Sequence, residues 1–375
     1  MPAICLTRWC LLSSFDFVRK FFLTLFLALV FAAPVFSQSG EGRGYAKIVS
    51  LKNKLVNYLE SIELKGVDTN YVGVPEKKWA VFTNAYLSQF DFDLRSNVRA
   101  DEVAGTEGKK IGRVTVDLFS NVEEQVSVGL YFMGYGLSYS QDLSKGYQKD
   151  WSFTMYSSPV GGEFRYHITN KIHGKLAVKN LGLKFNVMEG DAKMENFLLN
   201  AYYVFSPKKF SYSSAMSYSK IQKKSAGSVL GGVTLNQTRI TAYDPVLIGL
   251  MGGVDHIILR RFSVGAGYAY NWVPVKGLTL HFSGIPMLLV TTKSATRNTG
   301  EGWSESQKDT QENLFGSKTH ISYNYMFRTS ASYALGDKFL AGFSGFYNYF
   351  RVGNHSSYYA SNEDWSVRFF VAYRF

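Results

Sequence analysis

The last eleven residues alternate. Trp365, Val367, Phe369, Val371, Tyr373 and Phe375 are apolar, Ser366, Arg368, Ala372 and Arg374 fill the places between them, and only Phe370 breaks the pattern. A period of two predicts a strand with two unlike faces, and eleven residues is the length a tilted strand needs to cross a bilayer. The same pattern runs through Phe262, Val264, Ala266, Tyr268, Tyr270 and Trp272, opposite Arg261, Ser263, Gly265, Gly267, Ala269 and Asn271. It recurs at Ile321, Tyr323, Tyr325, Phe327, Ala331 and Tyr333, opposite His320, Ser322, Asn324, Arg328, Ser330 and Ser332. A soluble sandwich would bury its aromatic face against a second sheet. Here one face is rich in tyrosine and the other mixes small, polar and cationic residues, as expected where lipid lies outside and water inside. A sheet in hydrocarbon must close on itself, because each unpaired backbone group at an edge costs several kcal/mol.

Further strands are predicted at 79–92, 110–120, 125–139, 151–158, 162–170, 195–205, 208–221, 226–240, 277–291 and 337–352. Single-chain bacterial barrels have even strand numbers, so the prediction is an all-β transmembrane antiparallel barrel of 12–14 strands over residues 79–375. Asp244 to Arg260, interrupted by Pro245, Gly252 and Gly253, stays ambiguous. Asn121–Glu124, Ser206–Lys209 and Leu335–Lys338 read as short periplasmic turns, and Arg95–Lys109, Thr292–Lys318 and Gly353–Asp364 as long outer loops. Trp79, Trp151, Trp272 and Trp365 fall near strand ends, where indoles settle at membrane interfaces. Ahead of the barrel, within 38–78, Ile48, Leu51, Leu55, Leu59 and Ile62 recur at helical spacing, which predicts an amphipathic periplasmic helix over 45–64 that caps the barrel, plugs it or docks a periplasmic partner.

The composition fits this reading. With 46% hydrophobic and 19% charged residues the chain is too apolar for disorder and less charged than soluble domains. Arg19 and Lys20 precede an apolar run from Phe21 to Ala33 and a cleavage-like Val35-Phe36-Ser37, so residues 1–37 read as a signal peptide removed on export. Both cysteines, Cys5 and Cys10, lie in that leader, which leaves no thiol for a disulfide, a nucleophile or a metal. Losing the leader removes three basic residues and one acid and changes the net charge from +12 to +10. On an exported barrel this favours outer-membrane lipid and lipopolysaccharide as partners over nucleic acid.

Asp68-Thr69-Asn70-Tyr71, then Lys209-Phe210-Ser211-Tyr212 and Gln222-Lys223-Lys224-Ser225-Ala226-Gly227-Ser228, and finally Gly265–Tyr270 and Tyr373-Arg374-Phe375, occur in an order that resembles an exported family of the Bacteroidetes called domain of unknown function 4421. The resemblance runs from Asp68 to Phe375 and implies an outer-membrane barrel. The terminal Tyr-Arg-Phe also looks like the signal, ending in Phe375, by which the barrel-assembly machinery recognises such chains. The family likeness brings no reaction, ligand or catalytic residue.

The sequence predicts no enzyme, metal site or cofactor. Its histidines, His167, His173, His256, His281, His320 and His355, lack zinc-site spacing, and no phosphate loop or nucleophile elbow occurs. His281 with Ser283, or His320 with Ser322, could imitate the serine–histidine pair of barrel-embedded lipid hydrolases, but no third orienting group is evident. Lys220, Lys223 and Lys224 form a basic cluster read either as facing lipopolysaccharide or as a solvated loop. Glu163, Arg165, Arg261, Arg328, Arg368 and Arg374, with His320, fall on the non-aromatic faces as lumen candidates. They suit either an ion-selective constriction or a self-paired salt-bridge filling. Three functions follow: a barrel passing or binding a small solute, a non-conducting structural or docking barrel, and a lipid-modifying enzyme.

Overall fold

The computed structural model describes Ser50, Asn53, Lys54, Asn57 and residues 66–375, except 100–110, 144–147, 157–158, 180–181, 252, 300–301, 311–321 and 355–357. The expected signal peptide, His320, His355 and the tips of the three expected outer loops lie outside the described residues. Of the expected N-terminal helix, the four described residues are helical and exposed, and all four are polar. No helix among the described residues is long and apolar enough to cross a membrane.

The chain from Gly66 onward is one compact unit made almost entirely of strands. In order these are β1 (Val72–Gly73), β2 (Trp79–Arg99), β3 (Ile111–Ser120), β4 (Glu123–Phe132), β5 (Tyr135–Asp142), β6 (Gln148–Tyr156), β7 (Val160–Thr169), β8 (Ile172–Val178), β9 (Leu183–Val187) and β10 (Ala192–Val204). After the short helix α1 (Tyr212–Met216) come β11 (Ile221–Gln222) and β12 (Ala226–Ala242). Beyond a second helix, α2 (Pro245–Leu250), follow β13 (Val254–Trp272), β14 (Leu278–Asn298), β15 (Gly302–Thr310), β16 (Tyr323–Leu335), β17 (Phe339–Asn354) and β18 (Tyr358–Arg374). Twelve of them, β2, β4, β5, β6, β7, β10, β12, β13, β14, β16, β17 and β18, form an antiparallel ring that closes where β18 pairs with β2 from Tyr358↔Ser96 to Arg374↔Ala80.

The predicted alternation holds on the walls. Tyr268, Tyr270, Trp272, Tyr325, Phe327, Tyr333, Val367, Phe369 and Tyr373 are exposed on the outside, whereas Ser263, Asn271, Asn324, Arg328, Ser330, Ser366 and Arg374 are buried within. The chain is therefore an outer-membrane barrel with lipid against its aromatic face. Trp79 and Phe375 share one rim, bonded Phe375 N–H to Trp79 O at 3.0 Å. That rim also carries the tight turns, which makes it the periplasmic one.

Several expected boundaries move. Residues 125–139 are a hairpin, because Met133 and Gly134 both take positive φ (48° and 92°) in the two-residue turn that suits right-twisted strands. Gly134 is also needed there because a Cβ would lie 2.4 Å from Tyr156 O. Asn121–Glu124 is no turn: β3 and β4 both run antiparallel to β2, so Asn121 and Val122 interrupt one descending line. The short β5–β6 hairpin fills the gap beneath, and above it β3 pairs directly with β8. The ambiguous stretch resolves into α2, capped by Asp244, whose carboxylate accepts from Val246 N–H and Leu247 N–H ahead of Pro245 at the first turn, followed by β13. The outer loops shrink because strands extend into them: β14 continues to Asn298 and pairs with β15. Out there Arg297 bonds Asp255 (Nη2 to Oδ2, 2.6 Å) and holds its carboxyl at about 2.

The largest correction concerns 208–221, expected as a strand. It belongs to a long periplasmic connection, 205–225, which folds back inside the ring, so Ser206–Lys209 opens an inward plug rather than a tight turn. Ser211 caps α1 by accepting from Ser214 N–H, and Phe210, Tyr212, Ser213, Ser214 and Ala215 are buried. The β1–β11 pair ties the plug to residues just ahead of the barrel.

Candidate functional site

The interior is layered. On one side of its outer end the inward-facing side chains are apolar: Phe90 and Phe92 from β2, Val116 and Leu118 from β3, Ile172 and Leu176 from β8, Met194 from β10, Ile240 from β12 and Leu247 from α2 belong to one buried cluster of fourteen residues. β2 and β12, 21 and 17 residues long, run well above the 9–11 residues needed to cross the membrane, and β3 and β8 are short strands paired to each other at that height, so this core lies toward the outer end of the lumen.

Below it lies a charged belt. Arg165 donates from Nε to Asp150 Oδ2 (2.7 Å) and from Nη1 to Asp364 Oδ2 (3.2 Å), linking β7, β6 and β18 across the lumen. Tyr86 OH also donates to Asp150 Oδ2 (3.2 Å), and the Arg368 guanidinium sits 5.1 Å from the Tyr86 ring centroid. His167 lies between Asp150 (3.7 Å) and Glu123 (3.9 Å), and Thr169 donates to Glu123 at 3.2 Å. Arg328 pairs with Glu163, which also accepts from Asn200 Nδ2 (2.9 Å) and Tyr156 OH (3.2 Å). Lys171 pairs with Asp142. Arg261 donates to Thr238 Oγ1 (2.7 Å) and lies over the Phe350 ring at 4.8 Å. Glu163, Arg165, Arg261, Arg328 and Arg368 thus stand in the lumen, and the structure brings Glu163 to Arg328 and Arg165 to two acids. Those acids, Asp150 and Asp364, escaped the sequence reading, although each sits one residue before a strand tryptophan, on the lumen parity.

The plug forms the third layer. Arg374 Nη2 donates to Tyr218 O (2.7 Å), and Tyr218, at φ 57°, stacks on Phe370 with centroids 4.4 Å apart. An uncommon φ in a bulky residue persists only where its surroundings fix it. Asn271 Nδ2 donates to Ser211 O (2.8 Å), Gln222 Oε1 (3.0 Å) and Ser214 Oγ (3.2 Å), while its Oδ1 meets His281 Nδ1 at 2.7 Å. His281 Nε2 contacts Ser283 Oγ at 3.0 Å. A serine, a histidine and an orienting amide are therefore in line, supplying the third group absent from the sequence reading. The plug nevertheless covers them: Tyr212 OH reaches Ser283 Oγ at 3.3 Å, and Asn271 and His281 are both 0% exposed. A nucleophile needs space for an acyl group beside it, and here that space holds Tyr212. The arrangement anchors the plug. Replacing Asn271→Ala removes three plug contacts, so trypsin should cut at Lys208, Lys209, Lys220 or Lys223 several-fold faster than in the parent, while the barrel stays folded.

Lys220, Lys223 and Lys224 sit on this periplasmic layer, whereas contact with lipopolysaccharide requires the opposite rim. Lys220 is buried, Lys223 donates to Thr69 O (2.9 Å), and Lys224 lies 5.5 Å from the Tyr71 ring, which Lys209 faces at 5.0 Å.

Residues 66–375 match the model of a family described as Domain of unknown function (DUF4421). No curated protein matches the chain. Among solved structures, the outer membrane protease OmpT from Escherichia coli aligns over 80% of this chain and 97% of its own, at 10% identity and a TM-score of 0.39. The outer membrane protein OprG from Pseudomonas aeruginosa aligns over 80% and 98%, at 10% identity and 0.29. An outer membrane channel from Pseudomonas putida F1, COG4313, aligns over 80% and 97%, at 10% identity and 0.26.

Proposed function

The chain belongs to the DUF4421 family, and from that premise we propose, on the strength of its interior, a barrel that does not conduct along its axis and serves as a membrane-anchored docking element on the periplasmic side. One observation carries this reading: the fourteen-residue apolar core at the outer end. Opening a water path there would wet side chains worth about 1.5–3 kcal/mol each, about 20 kcal/mol or more in all. A folded domain has only about 5–15 kcal/mol to lose. The plug is a separate layer, held by the hydrogen bonds of Asn271 and Arg374 and by the packing of Phe210, Tyr212 and Tyr218 on the wall, and it shares no residue with the outer core. The docking face is cationic. Lys77, Lys208, Lys209, Lys223, Lys224, Lys276 and Lys338 are exposed around the periplasmic rim beside Asp68, Glu76 and Asp337, which suits an anionic periplasmic partner.

Planar-bilayer recording tests the seal. The full chain, and a variant in which 207–224 is replaced by a tight turn, should both be electrically silent. Steady current from the shortened variant alone would show the outer core to be permeable and restore solute passage. A second reading, binding without passage, is favoured by buried amides on the wall beside the outer core. Asn324 Oδ1, Asn348 Oδ1 and both polar atoms of Asn362 have no hydrogen-bond partner among the described residues, on adjoining strands around Phe350. Such groups are costly unless satisfied, and a small neutral polar solute or water satisfies them.

A further inference from the structure

The lipid-facing wall carries a groove of about 900 Å³ across β10, β12, β13, β14 and β16. Its floor is made of small or ring-closed residues, Ala201, Gly231, Ala266 and Pro286, between the larger Tyr203 and Leu288. Much of the outer wall elsewhere presents Val, Leu, Phe and Tyr, with small residues such as Ala85 set singly among them. The floor is built in. Pro286 has no N–H, and the β13–β14 ladder lapses between Gly265↔Met287 and Tyr268↔Gly284. A Cβ on Gly265 would stand 2.1 Å from Pro286 O, and one on Gly267 1.9 Å from Gly284 O, so the strands approach too closely for larger residues.

The groove runs from Ala201, three residues above the periplasmic end of β10, to Tyr323 at the outer end of β16. Ala201, Val233, Val264, Leu288 and Tyr323 are partners in one row across the sheet, so the groove spans four strand spacings, about 19 Å. Tyr323 and Tyr325, with centroids 6.1 Å apart, frame its outer end. Immediately beyond stands Arg351, paired across the ladder with Tyr323. Its guanidinium lies 5.9 Å from the Tyr323 ring and 5.4 Å from that of Tyr359, and Nη1 donates to Tyr323 OH at 3.5 Å. A cation propped on aromatic rings, at outer-headgroup height above an apolar slot, matches an amphiphile with a phosphate at one end and acyl chains at the other.

We propose that this groove is a binding site for one lipopolysaccharide molecule, an acyl chain of its lipid A lying over Ala266 and Pro286 and a phosphate resting on Arg351. Outer-leaflet depth selects lipopolysaccharide over inner-leaflet phospholipid. The site is separate from the lumen, so it stands or falls independently of the docking reading.

The test uses the full chain refolded from urea into lipopolysaccharide-free micelles and titrated with diphosphoryl lipid A, its dephosphorylated form or phosphatidylglycerol, with bound lipid counted by native mass spectrometry. Heat-modifiable electrophoretic mobility confirms that each variant is folded. One lipid A should bind saturably. Ala266→Phe, whose side chain points into lipid and disturbs no core, should abolish this, whereas Phe343→Leu on the same wall should leave it intact. Arg351→Ala should weaken lipid A about tenfold, to the level at which the parent binds the dephosphorylated form. Unchanged binding by Ala266→Phe overturns the proposal, as does phosphatidylglycerol binding as tightly as lipid A. A change in oligomeric mass on Ala266→Phe, with no lost lipid, would instead assign the groove to a second copy of the chain.

Discussion

Replacing Arg165→Met should lower the unfolding free energy of the micelle-embedded barrel by about 3–5 kcal/mol, the usual penalty for orphaning buried charge. Arg165 is 7% exposed, Asp150 2% and Asp364 6%. Methionine fills similar volume yet removes the guanidinium that both carboxylates share, leaving Asp150 with only His167, 3.7 Å away, as an ion-pair partner. The effect should exceed that of Arg374→Met, which removes a hydrogen bond to the neutral Tyr218 carbonyl and should cost about 1 kcal/mol. Urea midpoints followed by tryptophan fluorescence measure both. If the two variants lose equally little, the charged belt is solvated and the lumen wetter than its burial indicates. A double variant carrying Asp364→Asn as well should regain part of the loss, since one of the carboxylates deprived of the guanidinium is then neutral.

The second large effect is expected at the outer end. Phe92 is 2% exposed within the apolar core, on β2 opposite Leu118 of β3 and Asn362 of β18. Phe92→Ala should cost about 3–5 kcal/mol by transfer and cavity terms together. The barrel should stay silent in bilayers, because the void left is walled by the remaining core and stays dry. Loss of stability accompanied by current would mean that a single ring closes the lumen, contrary to a seal spread over fourteen residues.

What could be read in advance follows from which interactions are local. Alternation in β13, β16 and β18 depends only on each strand facing lipid on one side, so the faces of Tyr268, Phe327 and Phe369 were legible without knowing any partner. Closure followed, because hydrocarbon permits no open edge. The plug was not legible as such, because Phe210, Tyr212 and Ala215 imitate a strand's apolar positions. A better signal was Ser211, three residues before Ser214, which is the spacing of a helix cap. Nor could the sequence pair Arg165 with Asp364, 199 residues away. That contact depends on strand tilt and stagger around the ring, which alternation does not encode. Asp150 and Asp364 lay on the correct parity, but nothing local distinguishes a lumen acid with a cation opposite from one in water. The basic cluster failed for a related reason: Lys223 and Lys224 mark a hairpin end without saying which rim it occupies.

The direct pairing of β3 with β8 above the β5–β6 hairpin has a geometric result. Each strand contributes about 4.7–4.9 Å to a sheet's width, so a wall that drops two of them as it rises loses about 10 Å of girth. The cylinder becomes a cone. Inward side chains that stand apart near its base are crowded together near its apex, where too little room is left between them for a continuous file of water. Leucine, isoleucine and phenylalanine are what such a narrowing can accept without stranding a polar group. The dry apex is thus a product of strand bookkeeping lower down, and lengthening the β5–β6 hairpin until it reached the top would widen the cone and admit solvent there.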